Sequence, residues 1–134
     1  MFLMMLNDDQ KKLFLKLAVK AAEVNGVVEY EEKNMLKAFA LEVKETPIYS
    51  ADCATSEILD DLKRISSPKE KRIITFEILG ILFSDNEYDE EEKEFVSEIA
   101  ESFDISRNQI DQMVKLINDY SDLYNKIVNT VLIE

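Results

Sequence analysis

Histidine is missing from this chain altogether, and its absence removes much of the usual catalytic repertoire. No Ser-His-Asp or Cys-His arrangement can be built from the chain alone, and there is no imidazole to ligate a metal. Cys53 is the single cysteine, which excludes an internal disulfide and any multi-cysteine metal site, and suits a reducing cytoplasm. With two glycines and two prolines there are too few breakers for the many tight turns of a β protein. No apolar run approaches the ~18 residues of a membrane helix. Met1 to Leu6 is apolar but lacks the basic flank, longer apolar segment and small-residue cleavage site of a signal peptide, so it reads as the packed start of the fold. Basic residues are also scarce, 16 Lys and Arg against 28 Asp and Glu, a net charge of −12. Such a surface repels a phosphate backbone, so nucleic acid is not an expected partner, and without a membrane-length run neither is a membrane.

What is present points to helices. The 134 residues fit one domain, 1–134, with a single core. Leu, Ile, Ala, Glu and Lys recur at spacings of three and four, which argues all-α. Asn7 with Gln10, Ser67 with Glu70, Asp89 with Glu92, and Ser106 with Gln109 each have the form of a capping box. Pro68 adds a proline at the first helical position. The first helix carries Phe14, Leu17, Ala18, Ala21 and Ala22 inward and stops at Asn25-Gly26. A second runs from about Glu29, with Met35, Leu36, Phe39, Ala40 and Val43 on one face, until Thr46-Pro47 ends it. Residues 56–65 form a bridging helix through Ile58, Leu59 and Leu62. Ile73, Ile74, Ile78, Ile81 and Leu82 make the helix after Ser67 apolar over much of its circumference, as the centre of a bundle should be. From Ile110 through Met113, Val114, Ile117, Tyr120, Tyr124, Ile127 and Val128 to Val131 a helical stripe runs on, in one helix or in two broken near Asn118-Asp119. Aromatic stripes of this kind are core by default, and Tyr49, Tyr120 and Tyr124 are the aromatics left over for a partner.

The chain also copies itself. A shift of 60 residues superposes Glu31-Glu32-Lys33 on Glu91-Glu92-Lys93, Met35-Leu36 on Phe95-Val96 and Phe39-Ala40 on Ile99-Ala100. Repeat one spans about residues 7–43 and repeat two about 67–103, with residues 56–65 between them and about 107–132 after them. Two helix pairs related by an approximate rotation are expected, with Leu17 and Glu77 in matched places but with different burial.

Two features coincide at this point. One is the opening Phe2-Leu-x-x-Leu6-Asn-x-x-Gln10-Lys-x-x-Phe14-Leu-x-Leu17-Ala, and the other is the twice-used turn Asx-Gly/Asn-x-Val/Tyr-x-x-Glu-Glu-Lys. Together they make the chain resemble the TerB-like family, named after a tellurite-resistance protein, over about residues 2–103. The resemblance implies an all-α bundle of about seven helices with internal pseudo-symmetry. It further implies a cytoplasmic, stress-linked role in divalent-metal binding or assembly with other proteins, and no established catalysis. The family's acidic signature falls on Asp85, Asn86, Tyr88 and Glu92, and in the first repeat on Asn25, Gly26, Val28 and Glu32. Asn25 stands where the family has an acid, and Asn86 where it has glycine.

Within residues 85–101 there are nine acids and one base, so most of the charge imbalance is local. Asp85, Glu87 and Asp89 alternate as carboxylates do in a calcium loop, but an EF-hand counted from Asp85 needs Gly and a bidentate Glu where this chain has Glu90 and Val96. A metal here would use Asp85 with Glu92, joined by Asp89, Asn25 or Glu32, and oxygen donors of this kind suit Ca, Mg or Mn. Asp89 and Glu92 also explain each other as a capping box, and acids in a first helical turn are favoured by the helix dipole. Acid–base catalysis by these carboxylates would need burial to separate their pKa values, which a charged helix start does not offer. The expectation is a non-enzymatic binding domain, with a divalent cation at the acidic turn or, alternatively, a protein partner or second copy on the same acidic face without metal.

Overall fold

The structure, a computed structural model, describes residues 1–24, 30–83 and 88–134. Among the described residues it is all-helical. A short 3-10 turn (Leu3–Met5) precedes six α-helices: α1 (Asp8–Ala22), α2 (Tyr30–Val43), α3 (Thr55–Ile65), α4 (Pro68–Leu82), α5 (Glu90–Phe103) and α6 (Arg107–Val131). Among the described residues there are thus six α-helices and one 3-10 turn, where about seven helices were expected. The C-terminal stripe is one continuous helix, because Asn118 and Asp119 are too mild as breakers to interrupt it.

All four capping boxes form. Asn7, Ser67, Asp89 and Ser106 each sit in extended backbone and accept from the amide three residues on, while the side chain at that position accepts from the cap's own amide. The helix ends follow a rule the residue types do not advertise. Lys44 and Asp104 adopt the left-handed conformation, with φ of 61° and 55°. At each, the following amide reaches back to close the turn, Glu45 N to Ala40 O and Ile105 N to Ala100 O, both at 2.9 Å. So α2 ends at Val43, with Lys44 turning the chain ahead of Thr46-Pro47. The helix bounds keep the 60-residue offset throughout: α1 against α4, α2 against α5, and Lys44 against Asp104.

α1 lies against α2, α3 and α4, and α4 against α1, α5 and α6. α3, the bridging helix, stands to α1 as α6 stands to α4, and it also reaches α5. The core holds Phe14, Leu17 and Val19 of α1, Ile58, Leu59 and Leu62 of α3, and Ile74, Ile78 and Leu79 of α4. Gln10 is fully buried and satisfied: its amide nitrogen donates to Ile65 O and Ser66 Oγ, tying the start of α1 to the end of α3.

Glu77 occupies the place in α4 that Leu17 has in α1, and the two do not differ in burial as expected, being 7% and 0% exposed. The reason is long-range. Glu77 Oε1 receives the amide of Phe2 at 2.8 Å and the Met1 ammonium at 2.7 Å, so a carboxylate in the core meets the N-terminus folded over it. Leu3 and Leu6 are buried beneath that turn, while Phe2, Met4 and Met5 remain exposed.

Candidate functional site

The acidic start of α5 is built by its cap. Asp89 Oδ1 accepts from the Glu92 amide at 2.9 Å, and Glu92 Oε1 accepts from the Asp89 amide at 3.3 Å. Asp89, Glu90 and Glu91 are exposed, but Glu92 is 3% exposed, so one carboxylate of the first turn is turned inward. Tyr88 lies over it. Its ring is 4.5 Å from that of Phe83, and Lys93 Nζ sits 5.8 Å from the Tyr88 centroid. Burial, then the nearby charges of Glu92 and Asp111, push the Tyr88 phenol above its usual pKa. Beside it, α5 and the start of α6 frame an open groove of ≈ 710 Å³ lined by Tyr88, Lys93, Glu94, Ala100, Arg107 and Asp111.

Of the expected metal ligands, Asp89 and Glu92 are brought together and Glu32 lies half-buried in the first turn of α2. Asp85 and Asn25 lie outside the described residues. Among the described residues no three acidic or cysteine side chains gather as a metal would require, and the Asp89–Glu92 pair is occupied with capping.

α6 presents a different surface. It packs against α4, and over its first three turns Ile110 is buried and Met113, Val114 and Ile117 are half-buried against the core. Beyond Ile117 the stripe continues but the body of the domain does not. Leu116, Tyr120, Leu123, Tyr124, Ile127 and Val131 are all about half exposed or more, with Tyr120 at 57% and Leu123 at 57%. The default reading of this stripe as core therefore fails over its second half, while the exposure of Tyr49, Tyr120 and Tyr124 agrees with their being left over.

The pattern has a seven-residue period. Ile110, Ile117, Tyr124 and Val131 share one position of the heptad and Met113, Tyr120 and Ile127 share another, the arrangement that keeps a seam facing a neighbouring helix. The flanking positions carry Val114, Ser121, Val128, Leu116, Leu123 and Thr130, none charged. Charges beyond the first turn, Asp111, Lys115, Asp119, Asp122 and Lys126, all fall on the opposite side, where Lys115 Nζ meets Asp119 Oδ2 at 2.7 Å. Leu116 and Leu123 escaped the reading of spacings of three and four along the stripe. Their mutual spacing of seven is the signal that finds them.

Comparison of the chain with protein-family models, with curated proteins and with solved structures finds no match. No helix among the described residues is long and apolar enough to cross a membrane.

Proposed function

We propose that this chain is a non-enzymatic helical domain that works by binding another protein through the second half of α6, as a TerB-like assembly module would. The observation that supports it is the uncharged face from Leu116 to Val131, which the domain leaves exposed to water. An exposed apolar patch of this extent marks an interaction site more often than a neutral surface. The acidic face of α5, where partner binding was expected, is secondary in this reading. Installing a photoreactive benzoylphenylalanine at Leu123 and, separately, at Lys126 in the full chain tests it in cells. Protein adducts should form from position 123 on the apolar face and not from position 126 on the polar one. Equal yields, or none from 123, would refute the assignment.

A second reading, divalent-cation binding at the start of α5, is favoured by one observation: Glu92 is buried where its neighbours Glu90 and Glu91 are exposed. A cation bound only to the folded state raises its melting temperature. Wild type should then melt higher in calcium, magnesium or manganese than in sodium chloride of equal ionic strength, and Glu92→Ala should lose that increment. Identical responses to both salts would leave Glu92 as a cap alone.

A further inference from the structure

Resting on that reading of α6, we propose that the partner is a second copy of this chain, paired helix against helix along the Leu116–Val131 face in a symmetric dimer. Three observations converge on a copy of itself. The heptad spacing selects a helical occupant lying along α6, because only a helix running beside it meets every seventh residue. α6 carries Arg107, Lys115 and Lys126 against Asp111, Asp119 and Asp122, so it is neutral within a chain of net charge −12. Two copies can meet there without opposing like charges, and no strongly basic or acidic partner is selected by it. The polar side of the helix is balanced rather than rich in Lys and Arg, which does not suit a lipid surface.

The available area agrees. The six exposed side chains of the face offer on the order of 100 Å² each, or roughly 600 Å² per copy, which reaches the lower end of one side of a standard interface. Tyr120 and Tyr124, stacked on each other with centroids 6.4 Å apart, supply rigid aromatic anchors at the centre of the face. A symmetric pairing needs one self-complementary patch, and the uncharged seam is such a patch.

Sedimentation equilibrium of the purified full chain across the micromolar range tests the pairing. Wild type should sediment at twice the 15.5 kDa chain mass. The double variant Leu123→Glu with Ile127→Glu should weaken self-association by about a hundredfold or more. Asn125→Glu, on the polar side, should leave the dimer intact. Circular dichroism of the double variant must still show the cooperative melting of the body, since neither residue belongs to the core. A monomeric wild type overturns the proposal, as does a dimer that survives the double substitution. If wild type is monomeric but position 123 still yields adducts with another protein, only self-pairing falls. If both measurements fail, the reading of α6 as an interaction element falls with it.

Discussion

Glu77 shows how one residue can be misjudged from its neighbours in sequence. Its position in α4 corresponds to Leu17, and nothing local distinguishes a carboxylate that will be solvated from one that will be buried. What decides is a contact across 75 residues, in which the Phe2 amide and the Met1 ammonium satisfy the same oxygen. A buried carboxylate without such donors would cost several kcal/mol, and with them its net contribution is that of a hydrogen bond to a charged group. Burial alone would lower the pKa of the Met1 ammonium. The hydrogen bond and charge of Glu77, with Glu42 at 3.3 Å, outweigh it and raise the pKa above the ordinary 8.0. A group raised in the folded state contributes its full stability below its unfolded pKa and loses it as pH rises through the folded value. Wild type should therefore lose stability from about pH 8 upward, and Glu77→Gln, destabilised by about 1–2 kcal/mol at pH 7, should lose less over the same range. Chemical denaturation at stepped pH measures this. Parallel curves for the two proteins would show that the Met1–Glu77 pair does not contribute.

At the scale of the helices, what could be read in advance depended on how far apart the deciding atoms lie. Each capping box is settled within four residues, so the starts of α1, α4, α5 and α6 could be placed from residue types alone. The ends were harder. Lys44 and Asp104 are not glycines, yet both take the left-handed turn, and only their shared 60-residue offset hints at it. The stripe of α6 was legible as periodicity and illegible as burial, because an apolar face looks the same whether its partner is in the same molecule or another. Ile110 and Tyr124 hold the same heptad position. One is 8% exposed and the other 55%, and the difference is that the part of α6 packed against the core runs only from Ile110 to Ile117. The acidic turn was legible as a cap, while its reading as a metal site leaned on Asp85 and Asn25, which lie outside the described residues. The free length of α6 beyond Ile117, about 20 Å at 1.5 Å per residue, is too short to be a stable helix in isolation, so it is held by continuity with the docked turns and by whatever covers it.

The charge of the whole molecule sets the terms on which that covering happens. A chain of net charge −12 carries like charges that repel within the folded state as well as between copies, and Glu90, Glu94 and Glu98 lie four residues apart along α5. Among the described residues Lys93 pairs with Glu90 at 3.4 Å, on an exposed surface where such a pair contributes little. Sodium chloride should therefore stabilise the protein. Raising it from about 0.01 M to 1 M shortens the Debye length from about 30 Å to about 3 Å, which silences repulsion between exposed carboxylates one helical turn or more apart. A gain of roughly 1 kcal/mol corresponds to about 3–5 °C in melting temperature for a chain of this size. The triple substitution Glu90→Gln, Glu94→Gln, Glu98→Gln should raise the melting temperature at low salt and flatten its dependence on sodium chloride, because it removes the charges that salt would screen. Screening should also tighten the dimer, since the neutral seam of α6 loses nothing to salt while the two acidic bodies cease to repel. Wild type should then show a melting temperature that climbs with protein concentration, more steeply at high salt than at low. A slope in concentration that weakens as salt is added would mean that charge pairing, and not the apolar face of α6, holds the copies together.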